Sequence, residues 1–384
     1  MAAGFVFPVP EDSERVASIR AELRGLLAAE QAAGTFTPRC DGWLTGWSEP
    51  LSRSLGAHGW IGVTWPERYG GREFTVGERY VITEELLAAG APVAAHWIAD
   101  RQVGPLLLRY GTEEQRQEFL PRIARGECYF AIGMSEPDAG SDLAAIRTSA
   151  KKVDGGWLMN GRKLWTSGAH HSHYSIVLCR TSPMEENRRN GMSQLLVDLH
   201  APGVTIRPII LLNGEHHFNE MIFDDVFVPD SRLVGTLGNG WNQVLTELAF
   251  ERSGPERFMS TFPLLVETLR IVGTHGDARA QERIGSLISQ LWAVRALSLG
   301  VAGQLDSPNP PATEAALVKD IGTRLEREII EVARSVVETE PHADTDNAFQ
   351  RLLAQAILQA PGFTLRGGTN EILRGIIARG LGLR

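Results

Sequence analysis

From Ser13 to about Glu30 the apolar residues Val16, Ile19, Leu23 and Leu26 fall three and four apart, the spacing that aligns side chains on one face of an α-helix. The same period recurs through residues 51–55, 80–87 and 103–108, so the first third predicts helices. From about Gly133 the texture changes. GGWLMNG, HYSIVLCRT, MSQLLVDL, GVTIRPIIL and EMIFDDVFVP are short, apolar or alternating, rich in Val and Ile, and separated by Gly, Pro and Asn. They predict a small antiparallel β domain. After Gly238-Asn239-Gly240 the helical period returns at Val244, Leu245 and Leu248, then in QERIGSLISQLWAVRALSLG and ATEAALVKDIGTRLEREIIEVARSVVE. The order α, then β, then α predicts three domains, 1–128, 129–237 and 238–384, the last a helix bundle. The polar, proline-containing stretches 181–190 and 306–313 read as solvated loops, and no internal repeat is present.

Composition narrows the class. A chain of 384 residues is longer than one hydrophobic core usually serves. Its 43% hydrophobic and 22% charged residues are ordinary for a globular protein, and 38 basic against 46 acidic side chains, a net charge of −8, argue against a nucleic-acid partner. Cys40, Cys128 and Cys179 are odd in number and far apart, which predicts neither a disulfide framework nor a metal knuckle. The run MAAGFVFPVPEDSERVASIR lacks a basic leader followed by an apolar stretch, and no segment has about 18 uninterrupted apolar residues. A cytoplasmic location without a membrane span is the expectation.

One carboxylate interrupts an apolar stripe. Val244, Leu248 and Glu251 are four and three residues apart, so a helix sets all three on one face. A carboxylate turned to a protein interior loses solvation of its charged form, its pKa rises, and it becomes a stronger general base. The same position also suits one partner of a structural ion pair with an arginine, and the stripe accommodates both. Glu256, five residues on, falls about 140° around the same helix, off the stripe. His170, His171 and His173, with His216 and His217, lie in loops with no carboxylate–histidine helix pattern beside them, which predicts solvent-facing rings and no metal. Gly238-Asn239-Gly240 is a lone Gly-x-Gly outside any strand–helix–strand unit, so no nicotinamide site is predicted.

The run IGMSEPDAGSD, Ile132 to Asp142, followed by NGRKLWTSG, Asn160 to Gly168, resembles the acyl-CoA dehydrogenases. The resemblance continues in the family's order through FDDVFVPDSRLVG and the terminal GGTNEILRGIIARGLG. It implies an N-terminal helical domain, a middle antiparallel β domain and a C-terminal four-helix bundle, with FAD as cofactor and an acyl-CoA as substrate. A flavin needs an aromatic surface beside its ring, donors to its polar edge and a partner for its pyrophosphate. By the resemblance, Met134 and Ser135 sit at the pyrimidine edge, Trp165 lies against the isoalloxazine and Ser167 contacts its polar atoms. Ser141 lies where cofactor and CoA ester meet, and Thr369 and Glu371 touch the cofactor from the start of the last helix. Taken singly, Trp165 reads as a half-buried strand tryptophan and EPDAGSD as an acidic turn. Two family stretches that reach the FAD of a neighbouring subunit, Arg-Lys-x-Phe-Gly and Gln-x-x-Gly-Gly-x-Gly, are replaced here. The segments in their place read GTHGDARAQERIG, where Arg279 or Arg283 stands as the substitute, and EPHADTDNAFQRLLAQ.

Counting from Gly238, Glu251-Arg252 falls where isovaleryl- and long-chain-type members carry the catalytic glutamate before an arginine. Straight-chain members place that base in a C-terminal Glu-Gly-Thr, where this chain has Arg366-Gly367-Gly368-Thr369. The resemblance therefore implies that Glu251 takes the α-proton while the β-hydrogen leaves as hydride to flavin N5. Gly367 would supply a backbone N–H to the thioester oxygen, and Arg252 and Ser141 would lie at the substrate. Glycine at 367 implies room for branched, long or ring-bearing acyl groups, and predicts that moving the base, as Glu251→Gly with Gly367→Glu, recovers part of the proton abstraction. Electron-transfer flavoprotein is the implied acceptor; an acyl-CoA oxidase or a nitroalkane-type oxidase would instead use oxygen, the latter with an aspartate base. The assembly expected is a homo-oligomer, or a heteromeric dehydrogenase whose other subunit completes the cofactor site.

Overall fold

The computed structural model describes residues 13–251, 253–273, 276–304 and 311–383, with the side chains of 246–251 outside the description. Ser13 caps α1 (Glu14–Ala32) by accepting from Val16 N at 3.2 Å. After the short α2 (Gly42–Thr45), Ser48 caps α3 (Glu49–Ala57), and the capping box Thr75/Glu78 opens α4 (Val76–Ala88). A wide π turn, Ala99–Val103, separates α5 (Ala94–Ile98) from α6 (Gly104–Tyr110), and a second box, Thr112/Gln115, opens α7 (Glu113–Ala124). Eight strands follow: β1 (Phe130–Gly133), β2 (Ser149–Val153), β3 (Gly156–Ser167), β4 (Tyr174–Arg180), β5 (Met192–Asp198), β6 (Val204–Ile210), β7 (His216–Pro229) and β8 (Leu233–Val234). The chain ends in α8 (Gly240–Glu251), α9 (Phe262–Val272), α10 (Ala278–Ala302), α11 (Ala312–Val336), α12 (Ala348–Phe363) and α13 (Asn370–Gly380).

These elements divide into two units, one of residues 47–74 and 93–247, the other of 1–46, 75–92 and 248–384. In the first, the strands run β6-β7-β3-β2-β4-β5-β8, with β1 added parallel to β4. The sheet is therefore mixed rather than purely antiparallel, because β1, and β2 at Ser149, both run parallel to β4. It also begins at Phe130, three residues before the change of texture in the sequence. Its core is built from Trp157, Met159, Val177, Leu195, Val197, Met221, Phe223 and Val226 among others, all buried. The 182–190 loop is exposed, as its polarity predicts.

In the second unit α11 is the axis: α9, α10, α12 and α13 all pack against it. Gly322 of α11 permits a close approach, since a Cβ there would stand 2.5 Å from the carbonyl oxygen of Arg257. α1 faces α4 with Ile19, Leu23 and Leu27 buried, Leu27 rather than Leu26 completing the stripe. Charge reinforces that pairing. Arg20 and Arg24 meet Glu84 and Glu85 of α4, and Arg295 of α10 reaches Glu84 from the other side. α10 is the one helix among the described residues whose length and mean hydropathy would suit a bilayer. The predicted 306–313 loop lies outside the described residues up to position 310.

Candidate active site

In the β-containing unit, the segment Met134–Ser135 leaves β1 and is tied to β3 by two bonds. Lys163 Nζ donates to Met134 O at 3.0 Å, and Leu164 N donates to Ser135 O at 2.8 Å. Lys163 is fully buried and pairs with Glu136 at 2.8 Å, which also accepts from the backbone N–H groups of Arg147 and Thr148. Burial works to raise the Glu136 pKa, but Lys163 and those donors outweigh it and hold the group below the usual carboxylate range. This anchor is invisible to periodicity, because its lysine occupies an ordinary strand position.

Immediately after Lys163 the register of β3 against β7 slips between Lys163 and Thr166, a β-bulge. Trp165 sits in it with φ of 60°, a left-handed conformation strained for a bulky L-residue, and its indole is 53% exposed, edge-on to Phe218. It is not the half-buried strand tryptophan that the sequence alone allows. Next to it, Thr166 Oγ1 is buried with no hydrogen-bond partner among the described residues, and Ser167 is half-buried. The bulge thus turns a flat apolar face outward at Trp165 while Thr166 is held inward. An exposed aromatic face of that kind suits a planar aromatic ligand. Ser141 is exposed on the loop that follows Met134–Ser135.

Behind the bulge lies an imidazole stack. Asn219 Nδ2 donates to Thr166 O at 3.1 Å and to His170 Nδ1 at 3.0 Å, and its Oδ1 accepts from His216 Nε2 at 2.7 Å. His170 stacks on His216 at 3.8 Å and lies 3.9 Å from His171, which itself stacks on Trp47. Only His171 and His216 are exposed, so the expectation of solvent-facing rings fails for His170, His173 and His217. The rings are held by one another and by the bulge. Burial, then His171 and His216, pushes the His170 pKa down to about 4, leaving it neutral at pH 7.

In the helical unit, Gly367 and Gly368 both have left-handed backbones, with φ of 66° and 89°. A Cβ on Gly367 would meet the guanidinium of Arg257 at 2.9 Å. Thr369 caps α13, its hydroxyl accepting from Ile372 N at 3.4 Å. Glu371 is exposed in the first turn, its pKa lowered by the helix N-terminal backbone and by Thr369. Glu251 is the last residue of α8; its side chain, and Arg252 altogether, lie outside the described residues. Glu256 is not on the same helix. α8 stops at Glu251, Gly254-Pro255 breaks the chain direction, and Glu256 and Arg257 occupy a separate 3-10 turn, both buried. Of the two segments that replace the family's FAD-reaching stretches, the first opens α10 on an Asp277 cap, with Arg279 exposed and Arg283 donating to Ser335. The second leads into α12 without glycine.

Three family models match the chain: acyl-CoA dehydrogenase N-terminal domain over residues 15–127, middle domain over 131–226 and C-terminal domain over 238–382. The acyl-CoA dehydrogenase IpdE1 of Mycobacterium tuberculosis is 34% identical over 394 residues, covering 96% of this chain and 98% of IpdE1. FadE34 of the same organism is 34% identical over 333 residues, 85% of this chain but 45% of FadE34, so the chain spans less than half the length of that relative. Among solved structures, the Tcur3481-Tcur3483 steroid ACAD superposes with a TM-score of 0.83 at 29% identity, covering 97% of this chain and 98% of that one. The ChsE4-ChsE5 complex from Mycobacterium tuberculosis gives 0.84 at 28% identity, covering 97% and 99%. The helical, β and helical order, taken with the three family matches, defines a flavoprotein dehydrogenase class. The chain belongs to the acyl-CoA dehydrogenase family. It is accordingly an oxidoreductase, and the family's cofactor is FAD.

Proposed function

We propose that this chain carries out FAD-dependent α,β-desaturation of an acyl-CoA thioester with Glu251 as its base. The observation that carries this reading is at Gly367. Its backbone is left-handed and the space of its absent side chain is taken by the Arg257 guanidinium, so the loop position cannot hold a carboxylate without strain. Glu251, ending α8, is the alternative source of a base that the family pattern offers.

In this reading Glu251 removes the α-proton, and the electron pair it leaves becomes the new double bond as the β-hydrogen departs. FAD, when bound, supplies the acceptor for that hydrogen, as hydride at N5. A thioester α-proton is too weakly acidic for a carboxylate unless the developing enolate oxygen is stabilised, and the N–H of Gly367 serves that need. Trp165 offers its exposed face to the flavin ring, while Ser167 and the backbone of Met134–Ser135 serve its polar edge. By the family pattern, Thr369 and Glu371 would serve the cofactor, and Ser141 and Arg252 the substrate. One solved relative is a steroid ACAD and another is the complex of ChsE4 with ChsE5. Ring-bearing thioesters are therefore the first substrates to test, and a heteromeric assembly accounts for the two replaced FAD-reaching stretches. Electron-transfer flavoprotein is the proposed acceptor.

Anaerobic addition of a panel of straight, branched and ring-bearing thioesters to the yellow protein tests the reaction, with flavin bleaching as the signal. Glu251→Gln should keep FAD and lose on the order of 100-fold or more in bleaching rate, the usual weight of a general base. Undiminished bleaching would overturn the base. A chain that is colourless alone and yellow only with a partner subunit would favour the heteromeric form.

A further inference from the structure

We infer that Asp41 is a positioning residue for the thioester-binding loop, acting through Arg366; the inference rests on the assignment of the Gly367 N–H above. Asp41 is 3% exposed and has a left-handed backbone, φ 56°, that aspartate tolerates better than most residues. Its N–H donates to Ser260 O at 2.8 Å, which fixes the carboxylate against the segment before α9. Nη1 of Arg366 lies 2.7 Å from both oxygens of that carboxylate, and Nη2 donates to Ser260 Oγ at 2.8 Å. Trp43 Nε1 donates to the same hydroxyl at 3.2 Å, and the Arg366 guanidinium lies over the Trp43 and Phe363 rings at 4.6 and 5.0 Å.

What these contacts hold is the residue immediately before Gly367. On the far side, Lys319 Nζ donates to Gly368 O at 2.5 Å and to Asn370 Oδ1 at 3.2 Å. Gly367 and Gly368 have no side chains of their own with which to fix the loop. The direction of the Gly367 N–H is therefore set by its two flanking anchors, Arg366 gripped by Asp41 and Gly368 gripped by Lys319. A buried ion pair is a poor device for stability alone, since apolar residues of the same volume commonly do as well. It is a good device for orientation, because a guanidinium held by a carboxylate, a hydroxyl and two rings has one arrangement.

The test compares three variants of the holoenzyme: Asp41→Asn, Arg366→Lys, and the double Asp41→Leu/Arg366→Met, which removes both charges together. Four quantities are read: thermal midpoint, KM, flavin bleaching rate, and the carbonyl stretch of a bound carbon-13-labelled trans-2-enoyl thioester of the best substrate. The expected result is a double variant with near-native midpoint and KM, bleaching 10- to 100-fold slower, on the scale of a misplacement of about 1 Å. Its bound carbonyl should move toward the free frequency. A folded double variant with native rate and native carbonyl frequency overturns the inference. If the double variant does not fold, Arg366→Lys decides: the charge remains, the planar fork is lost, and a native rate with native frequency overturns the inference equally. Glu251→Gln separates this result from the underlying reading, because the carbonyl frequency reports the loop whether or not the base is correct. Full bleaching in Glu251→Gln sinks the base, whereas native carbonyl frequencies in the Asp41 and Arg366 variants sink only the positioning role.

Discussion

At position 367 the absent side chain has been replaced by another residue's charge. Gly367→Glu would bring a carboxylate against the Arg257 guanidinium, and an opposite charge at that distance favours the ionised form and weakens the group as a base. The left-handed backbone adds strain of about 1–2 kcal/mol for any L-residue. The partial recovery that the sequence alone suggests for Glu251→Gly with Gly367→Glu is therefore not expected; the double variant should bleach no faster than Glu251→Gly. A double variant several-fold faster would show that Arg257 yields. The place of Arg257 was not legible, because the stripe reads as one helix through Glu256 and the period does not register that Gly254-Pro255 ends it.

A second residue carries a pH signature. Glu326 is fully buried, accepting from Ser260 N at 2.8 Å, and burial pushes its pKa from the ordinary 4.5 up to about 7 against the pull of Arg366 and Ser260. Between those values the folded chain holds a proton that the unfolded chain has released, so this group's contribution to stability falls as pH rises from about 4.5 to 7 and is flat above. Glu326→Gln should remove that slope and raise the thermal midpoint at pH 8. A variant less stable than the parent at pH 8 would contradict it.

Among the elements, β3 concentrates the functional geometry in three consecutive features: Lys163 inward, Trp165 outward in the bulge, and Thr166 inward. Strand alternation was readable in the sequence, but the extra residue that turns Trp165 out was not, since a bulge has no compositional mark. Lys163→Met should be strongly destabilising, on the order of 3–5 kcal/mol, by leaving Glu136 buried without its cation. Lys163→Met with Glu136→Gln should regain much of the stability but not the flavin affinity, measured by cofactor titration. Equal flavin affinity in parent and double variant would mean that the pair serves folding alone. The imidazole stack behind the bulge adds to the acid sensitivity, beside the fully buried His96, whose pKa burial pushes down to about 3. His170 titrates near 4 when folded against an ordinary 6.5, so its stabilising contribution is complete above 6.5 and is lost as pH falls toward 4. His170→Gln should flatten the decline in thermal midpoint between pH 6.5 and 4; an unchanged decline would assign it to other groups. α12 escaped the periodicity because its first buried residues, Phe349, Leu352 and Leu353, follow directly on the polar run DTDN.

For the whole molecule, the α–β–α order was legible because helical and strand periods differ, and it matches the family's three domains. Which helices keep company was not. Residues 1–46 and 75–92 belong with 248–384, a grouping made by ion pairs and buried contacts that no local period records. The replaced FAD-reaching stretches act at this scale too. Native mass measurement with flavin counting should find cofactor complete only with a second kind of subunit, and one tightly bound FAD per chain in a homo-oligomer would contradict that.

The grouping also bears on how the chain is made. Asp41 meets Arg366 across 325 residues of sequence, and Glu84 meets Arg295 across 211. During synthesis the N-terminal helices leave the ribosome well before the segments that neutralise their buried acids, at a pace of roughly 5–20 residues per second. Asp41 must therefore wait unpaired for tens of seconds, while Glu84 and Glu85 of α4 have only Arg20 and Arg24 of α1 until Arg295 arrives. Nascent chains arrested ahead of α10 should be cleaved readily within α1 and α4 by added protease, and full-length chains released from the same arrest should become resistant there last.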